Sequence, residues 1–230
     1  MSRPTVIGFD ADDTLWHNET VFRLTQDRFA DLLAEHVERD HLMDRLLAAE
    51  TRNLSHYGFG VKGFVLSMIE TAIEVTDGRV PTAVIADLMA AGREMLAHPV
   101  EPLPGARDAV TTLAPDHRLV LVTKGDLLDQ ERKLAASGLG DLFDDVHIVS
   151  DKTPATYARA FALDGPDRAL MVGNSLRSDV NPALAAGSWG VFVPSEIEWA
   201  LERDAEPVDH PRYRRIATLA DLPALVAALS

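Results

Sequence analysis

The sequence predicts an α/β protein: a parallel β-sheet with helices on both faces, and an all-helical segment inserted after the first strand. Two observations predict this fold. From residue 119 to residue 193, short apolar runs alternate with helix-length amphipathic segments, as in proteins with buried parallel strands. One more apolar run lies near the N-terminus, and only helical periodicity separates it from the others.

The first element is the apolar run 5–9, which has the length of a strand buried on both faces and ends at Asp10. The next stretch, residues 18–97, shows helical spacing throughout. In its middle, for example, apolar residues step by four from Phe64 to Ala72. We therefore expect four helices in this stretch and no strand.

The segment 98–105 contains three prolines and a glycine, which is typical of a linker. Beyond it we expect a strand at Ile216 and a closing helix over residues 222–229. Four further apolar runs predict strands at Leu119–Val122, Val146–Val149, Ala169–Val172 and Val191–Val193.

The order of these elements predicts two domains. Because the first strand precedes the helical stretch and its sister strands follow it, the helices form an insertion and not a separate N-terminal domain. We expect an α/β catalytic core over residues 1–17 and 98–230, and an all-α cap over residues 18–97.

Composition limits the classes of function. The 230-residue chain has no cysteine, which excludes disulfides, a thiol nucleophile and cysteine-bound zinc. A net charge of -14 tells against a nucleic-acid polymer as partner, because phosphate backbones require a cationic surface. No signal peptide precedes the first strand, and no apolar run approaches the ~20 residues of a membrane span. We expect a soluble, cytoplasmic protein with no membrane partner.

Polar residues follow four of the predicted strands, at the sheet edge where ligands of such folds bind. They are Asp10-Ala-Asp12-Asp13-Thr14, Thr123-Lys124, Ser150-Asp151-Lys152 and Gly173-Asn174-Ser175 with Asp179 beyond it. The chain has only four lysines, at positions 62, 124, 133 and 152, and two of them adjoin these strand ends. Local positive charge is needed there, since the overall charge of the chain repels anions.

These segments resemble the four motifs of the haloacid dehalogenase superfamily, in the right order and over nearly the whole chain. The resemblance implies a doubly wound core with an α-helical cap, and a phosphatase that passes through an aspartyl-phosphate. It implies that Asp10 is the nucleophile, Asp12 the general acid/base, Thr123 a hydroxyl that binds a phosphoryl oxygen, and Lys152 the neutralising cation.

The resemblance also implies Mg²⁺ as cofactor, held by the Asp10 carboxylate, the Asp12 backbone carbonyl, Asp179 and Asn174. Position 174 departs from the commonest family pattern, which has an aspartate there. Asparagine keeps an oxygen ligand and removes one negative charge, so we expect a weaker metal site. The alternative is that Asn174 only forms a turn. Asp13 is expected to cap a helix or a turn.

The expected substrate is a small phosphomonoester, and the expected assembly is a monomer or a homodimer. Within the core, Thr123, Lys124 and Lys152 are candidate substrate contacts. In the insertion, the candidates surround a glycine-punctuated turn at residues 57–60; they are Asn53, Tyr57 and Lys62. The alternative for this turn is a plain helix connection, in which the glycines only reverse the chain.

Three other functions share parts of this pattern. The 2-haloacid dehalogenases of the superfamily also use an aspartate nucleophile, but they attack carbon, need no metal and lack an acid two residues after it. Asp12 therefore tells against dehalogenation. A phosphomutase has the same motifs. A non-catalytic phosphate-binding protein would be supported by Asn174 alone.

Overall fold

The computed structural model of the chain describes residues 3–229. The chain divides into two compact units, one formed by residues 1–19 and 100–230 and the other by residues 20–99. These boundaries lie two residues beyond those expected from the sequence. The first two residues and the last residue of the expected core lie outside the described part of the chain.

The first unit contains a six-stranded sheet of order β3-β2-β1-β4-β5-β6, in which every neighbouring pair is parallel. Strand β1 is central, and Val6 pairs with Arg118 of β2 on one side and with Ala169 of β4 on the other. The strands are β1 Val6–Phe9, β2 Arg118–Lys124, β3 Asp145–Val149, β4 Ala169–Gly173, β5 Trp189–Phe192 and β6 Tyr213–Arg215.

Alternating strand residues face two separate cores, one on each side of the sheet. Ile7 and Phe9 pack with two helices, Ala106–Leu113 (α5) and Leu222–Ala228 (α9), whereas Val6 packs with Pro154–Ala160 (α7) and Asn181–Ala185 (α8). Gly8 lies on the α7 face, where a Cβ would come within 2.6 Å of the Phe161 ring. The helices of this unit are α5 Ala106–Leu113, α6 Leu127–Ser137, α7 Pro154–Ala160, α8 Asn181–Ala185 and α9 Leu222–Ala228.

The second unit is entirely helical. Its own core is built from the apolar faces of its four helices and includes Phe29, Leu42, Leu46 and Met68, all fully buried. Between the second and third helices, Gly58 and Gly60 have φ angles of 71° and 117°, a region that favours glycine. The helices are α1 Glu19–Leu32, α2 Arg39–Tyr57, α3 Val61–Val75 and α4 Thr82–Ala97.

The six-stranded parallel sheet flanked by helices confirms the predicted fold class. One element was placed wrongly, because the last strand spans Tyr213–Arg215 and ends just before Ile216. In this edge strand two arginines replace the apolar run that the prediction required. Arg214 instead lies over the Trp189 ring at 4.8 Å, and Arg215 over the Phe192 ring at 5.3 Å. Within residues 3–229 no helix is both long and apolar enough to span a bilayer.

Candidate active site

The central strand β1 delivers Asp10 to the carboxyl edge of the sheet, between the ends of β2 and β4. The backbone N–H of Asp10 continues the sheet by donating to the carbonyl of Val172 at 2.9 Å. Its side chain is buried, and Oδ2 accepts a hydrogen bond of 2.8 Å from the Thr14 hydroxyl. Asp10 is thus held both by the strand and by a neighbouring side chain.

Lys152 joins two buried carboxylates. Its ammonium group forms an ion pair with Asp10 Oδ1 and donates to Asp179 Oδ1 at 2.7 Å. Asp10 directly follows β1, Asp179 lies in the turn after β4, and Lys152 follows β3, so the fold brings together three residues distant in sequence. With both acids ionised, this cluster carries one surplus negative charge.

The surplus charge affects how these groups titrate. Burial, reinforced by the Asp179 carboxylate, raises the pKa of Asp10 to about 7, although Lys152 acts in the opposite direction. Burial alone would lower the pKa of Lys152, but the two carboxylates outweigh it and hold that pKa above its ordinary value. Lys152 therefore stays charged, and the cluster favours one additional positive charge, from a proton or from a bound cation.

Asp179 is positioned by the turn that follows β4. Ser175 donates its backbone N–H to Asp179 Oδ2 at 2.9 Å. Gly173, the last residue of β4, makes room for the same carboxylate, because a Cβ there would lie 2.2 Å from Asp179 Oδ2. Beneath them the buried Tyr157 hydroxyl donates to the Ser178 carbonyl at 2.8 Å. Glycine at position 173 is thus a requirement of the site.

The Asp12 carboxylate has partners different from those of Asp10. It accepts hydrogen bonds from Trp16 Nε1 at 2.8 Å, from Gln130 Nε2 at 2.8 Å and from Lys133 Nζ at 2.9 and 3.1 Å. Burial alone would raise the pKa of Asp12, but the Lys133 ammonium group and these hydrogen bonds outweigh it and lower the pKa. This arrangement favours the ionised form of Asp12.

The site offers a place for a divalent cation. One terminal amide atom of Asn174 lies 3.2 Å from Asp10 Oδ2 and 3.2 Å from the Asp12 backbone carbonyl oxygen. As a nitrogen this atom donates to both oxygens; as an oxygen it would form a cluster of three oxygens that needs a cation. Neighbouring ligands of an octahedral Mg²⁺ are about 3 Å apart, so the spacing fits.

The donor set therefore consists of a carboxylate, a carbonyl and an amide. Among residues 3–229, no group of three or more histidine, aspartate or glutamate side chains is arranged to hold a metal on its own. Asp179, the predicted fourth ligand, contacts Lys152 and the Ser175 N–H through its two oxygens, and its role as a ligand stays a prediction. The surplus negative charge beside Lys152 supplies the electrostatic attraction that the neutral Asn174 does not.

Two other residues of the motifs lie where their types suggest. Asp13 has a φ of 59° and accepts the backbone N–H groups of Asn18 and Glu19 at 2.9–3.1 Å, at the start of α1. It fills the helix-capping role expected of it. Thr123 is buried near the end of β2 and pairs in register with Ile148 of β3.

Lys124 takes part in a second ion pair. Its ammonium group pairs with the Glu202 carboxylate and donates to Ser178 Oγ at 2.7 Å. Glu202 lies in a short turn after β5, and sequence reasoning did not single it out. Gln130 and Lys133, both on α6, were missed as partners of Asp12, and only the rarity of lysine in this chain drew attention to position 133.

The candidates in the helical unit have different surroundings. Asn53 is buried and donates to Ser67 Oγ at 3.2 Å and to Glu70 Oε2 at 2.6 Å. Tyr57 is the last residue of α2 and is about half exposed, and Lys62 lies in the first turn of α3. Their role as substrate contacts stays a prediction.

The chain resembles known proteins over most of its length. A profile described as "Hydrolase: haloacid dehalogenase-like hydrolase" matches residues 4–187. The chain belongs to the haloacid dehalogenase-like hydrolase family. It is accordingly an enzyme of the hydrolase class. No curated protein matches the chain.

Among solved structures, a haloacid dehalogenase-like hydrolase from Xanthomonas campestris is 44% identical, with a TM-score of 0.88 over 99% of this chain and 92% of its own. An L-2-haloacid dehalogenase from Xanthobacter autotrophicus, with chloropropionic acid covalently bound, is 21% identical, with a TM-score of 0.67 over 99% and 100% of the two chains. A phosphatase from Thermococcus onnurineus is 20% identical, with a TM-score of 0.64 over 98% of both. The last two likenesses show the fold alone.

Proposed function

We propose that this haloacid dehalogenase-like hydrolase is a Mg²⁺-dependent phosphomonoesterase that passes through an aspartyl-phosphate on Asp10. One arrangement carries the proposal: the buried Asp10 carboxylate contacts the Lys152 ammonium group through Oδ1, and its Oδ2 lies 3.2 Å from a terminal amide atom of Asn174, the spacing of two ligands of one cation. A dianionic phosphate can approach a carboxylate only if cations offset the repulsion, and this site provides for two.

In the first step the Asp10 carboxylate attacks phosphorus. A bond forms between an Asp10 oxygen and phosphorus, the ester bond breaks, and the leaving oxygen takes up a proton. Lys152 offsets the charge at the attacking oxygen, and the Thr14 hydroxyl orients the carboxylate. Thr123, at the end of the neighbouring strand, is the proposed donor to a phosphoryl oxygen.

Asp12 is the proposed carrier of the proton. It donates a proton to the leaving oxygen and later accepts one from the water that hydrolyses the aspartyl-phosphate, which frees Asp10. The hydrogen bonds from Trp16, Gln130 and Lys133 favour the ionised carboxylate, which is the form that the second step requires at its start. For the first step Asp12 has to be protonated, so its contact with Lys133 has to weaken.

The residues that would hold Mg²⁺ are Asp10, the Asp12 carbonyl and Asn174. When bound, Mg²⁺ would neutralise phosphoryl oxygens and align the phosphorus with the nucleophile. Both oxygens of Asp179 are held by other groups, so we assign this residue mainly to positioning Lys152.

We further propose that the helical unit selects the substrate through Tyr57 and Lys62. Asn53 supports them indirectly, because its hydrogen bonds to Ser67 and Glu70 join α2 to α3 on either side of their turn. If so, Lys62→Met raises KM for phosphorylated metabolites and leaves KM for p-nitrophenyl phosphate, which offers little beyond its phosphate, nearly unchanged. An equal rise for all substrates would contradict this role.

The main test is hydrolysis of p-nitrophenyl phosphate with and without Mg²⁺, by the wild type and by Asp10→Asn. We expect turnover that requires Mg²⁺ and is lost in the variant, because an amide is not a competent nucleophile. Trapping with beryllofluoride should attach density to the Asp10 side chain. Chloride release from 2-chloropropionate without phosphatase activity would instead establish a dehalogenase.

A further inference from the structure

A second buried ion pair adjoins the Asp10 site, and the proposed reaction does not use it. Lys124, directly after Thr123 on β2, pairs with the Glu202 carboxylate. Only 14% of the Lys124 side chain and 15% of the Glu202 side chain are exposed. The other Glu202 oxygen accepts a hydrogen bond of 2.6 Å from Ser175 Oγ. Glu202 therefore links the ends of β2 and β4.

Glu202 is connected to Asp179, and Lys124 to Asp12, through one intermediate residue in each case. Ser175, held by Glu202, donates its N–H to Asp179. On the other side, the Lys124 carbonyl accepts a hydrogen bond of 3.1 Å from Gln130 Nε2, which also donates to Asp12. Lys124 Nζ also donates to Ser178 Oγ at 2.7 Å, next to Asp179 in sequence, so the charges of the pair lie beside the turn that holds this carboxylate.

The charges of Lys124 and Glu202 have opposite effects on a phosphate bound at the site. An ammonium group at this strand end attracts a phosphate dianion, and a carboxylate beside it offsets that attraction. Burial alone would raise the pKa of Glu202, but Lys124 and the surrounding hydrogen bonds outweigh it and lower the pKa, so the carboxylate is ionised.

We infer that Glu202 is a positioning residue that keeps the Lys124 ammonium group on the turn after β4 and offsets its charge, and thereby weakens binding of inorganic phosphate, the product. This inference rests on the proposed phosphatase function and adds to it a control on product affinity. It predicts an unusual direction of change, because removing the contact tightens binding.

The test variant is Glu202→Gln, which keeps the shape and a hydrogen-bond acceptor and removes the charge. Binding of inorganic phosphate is measured by calorimetry, which needs no turnover, and by competitive inhibition of p-nitrophenyl phosphate hydrolysis. We expect the dissociation constant of phosphate and its inhibition constant each to fall about three- to tenfold, the effect of one unit charge acting across several ångströms of a partly buried site. The gain in affinity should be smaller in a Lys124→Met background, because the part that comes from releasing the Lys124 charge is then lost and only the direct repulsion between Glu202 and phosphate is removed.

Glu198→Gln is the matched control. It removes the same charge from the same segment, but Glu198 pairs with Arg203, whose side chain is 64% exposed. We expect its phosphate affinity to equal that of the wild type. Unchanged or weaker phosphate binding by Glu202→Gln would overturn the inference, as would an equal gain in Glu198→Gln or in the Lys124→Met background.

Failure of this inference is distinguishable from failure of the proposed function. A wild-type protein that binds phosphate and hydrolyses phosphomonoesters, with no tightening in Glu202→Gln, refutes only the role of Glu202. A wild-type protein that hydrolyses no phosphomonoester refutes the proposed function itself. A merely structural role for Glu202 would lower the melting temperature without tightening phosphate binding.

Discussion

The Lys133 ammonium group lies 2.9 and 3.1 Å from the two carboxylate oxygens of Asp12, although 121 residues separate them in sequence. The same ammonium group donates to Asn18 Oδ1 at 2.7 Å. Only 12% of the Lys133 side chain is exposed, so its charge acts on Asp12 with little screening by solvent.

Replacing Lys133 by methionine should therefore impair the second proton transfer assigned to Asp12, in which the ionised carboxylate accepts a proton from water, because less of the carboxylate is then ionised. We expect kcat to fall by about ten- to hundredfold, a part of the effect of general acid–base catalysis, with a smaller change in KM. The pKa of Asp12 should rise, since the positive charge of Lys133, which stabilises the ionised carboxylate, is gone. Steady-state kinetics over a range of pH would measure both effects.

Arg132→Met provides the comparison. Arg132 is the neighbouring residue on α6, and its side chain is 37% exposed and pairs with Asp129 and not with Asp12. We expect this variant to retain kcat. Equal losses in the two variants would mean that α6 had been disturbed as a whole and that Lys133 has no particular role.

The raised pKa of Asp10 predicts a dependence of activity on pH. As a nucleophile Asp10 must be ionised, so kcat/KM should rise with pH up to about 7 when Mg²⁺ is scarce. Increasing Mg²⁺ should move this limb to lower pH, because a cation favours the carboxylate. A limb that stays in place at all Mg²⁺ concentrations would contradict contact between Asp10 and the metal.

The same shift predicts a dependence of stability on pH in the absence of metal. The folded protein favours protonated Asp10, so the stability that this group contributes is fully present below the ordinary pKa of 3.8 and is lost as pH rises through about 7. The unfolding free energy of the wild type relative to Asp10→Asn should decrease over that interval. An increase in this free-energy difference over that interval would mean that the pKa of Asp10 is lowered by folding and not raised.

Gly173→Ala should displace Asp179, since the new Cβ would lie 2.2 Å from its Oδ2. We expect a loss of about 1–3 kcal/mol in unfolding free energy from overpacking, together with loss of turnover as the contact between Asp179 and Lys152 is disturbed. Gly140→Ala is the control, because its nearest contact would be an ordinary 3.7 Å to Leu134. Full activity in Gly173→Ala would show that Asp179 has room to move.

Asn174→Asp should tighten Mg²⁺ binding, because a carboxylate replaces the neutral amide and adds a negative charge beside Asp10 and the Asp12 carbonyl. Without metal the same change should destabilise the protein, since the hydrogen bonds from the amide to Asp10 and to the Asp12 carbonyl are replaced by repulsion. Thermal melts with and without Mg²⁺ would therefore show a larger stabilisation by metal than in the wild type.

Asn181→Asp adds the same charge at the first residue of α8, where the Asn181 amide donates to the exposed Asp204. We expect its response to Mg²⁺ to match that of the wild type. An unchanged response in Asn174→Asp would remove Asn174 from the proposed coordination sphere.

The sequence was most informative where burial leaves a simple pattern. Strands β1, β2 and β4 are apolar because both their faces pack against helices, and polar residues at their ends were therefore conspicuous. Strand β6 was misplaced because an edge strand does not require an apolar run, and its arginines pack over aromatic rings instead.

The partners of the site residues were harder to predict. Lys133 and Gln130 lie on α6, and nothing in their local sequence indicates which carboxylate they contact. Glu202 is one acidic residue among many in a chain with 36 of them. Such contacts depend on how distant segments pack, whereas strand ends follow from local composition.

The central position of β1 has a consequence for how the enzyme comes into existence. Strand β1 is synthesised before the other strands of the sheet, and its two neighbours begin at Arg118 and Ala169, so Asp10 leaves the ribosome long before the strands that pack beside it. The helical unit is continuous in sequence, and its synthesis is complete before either neighbour of β1 has been synthesised. The site around Asp10 can therefore form only late in translation, after β4 and the segment that carries Asp179 have been synthesised.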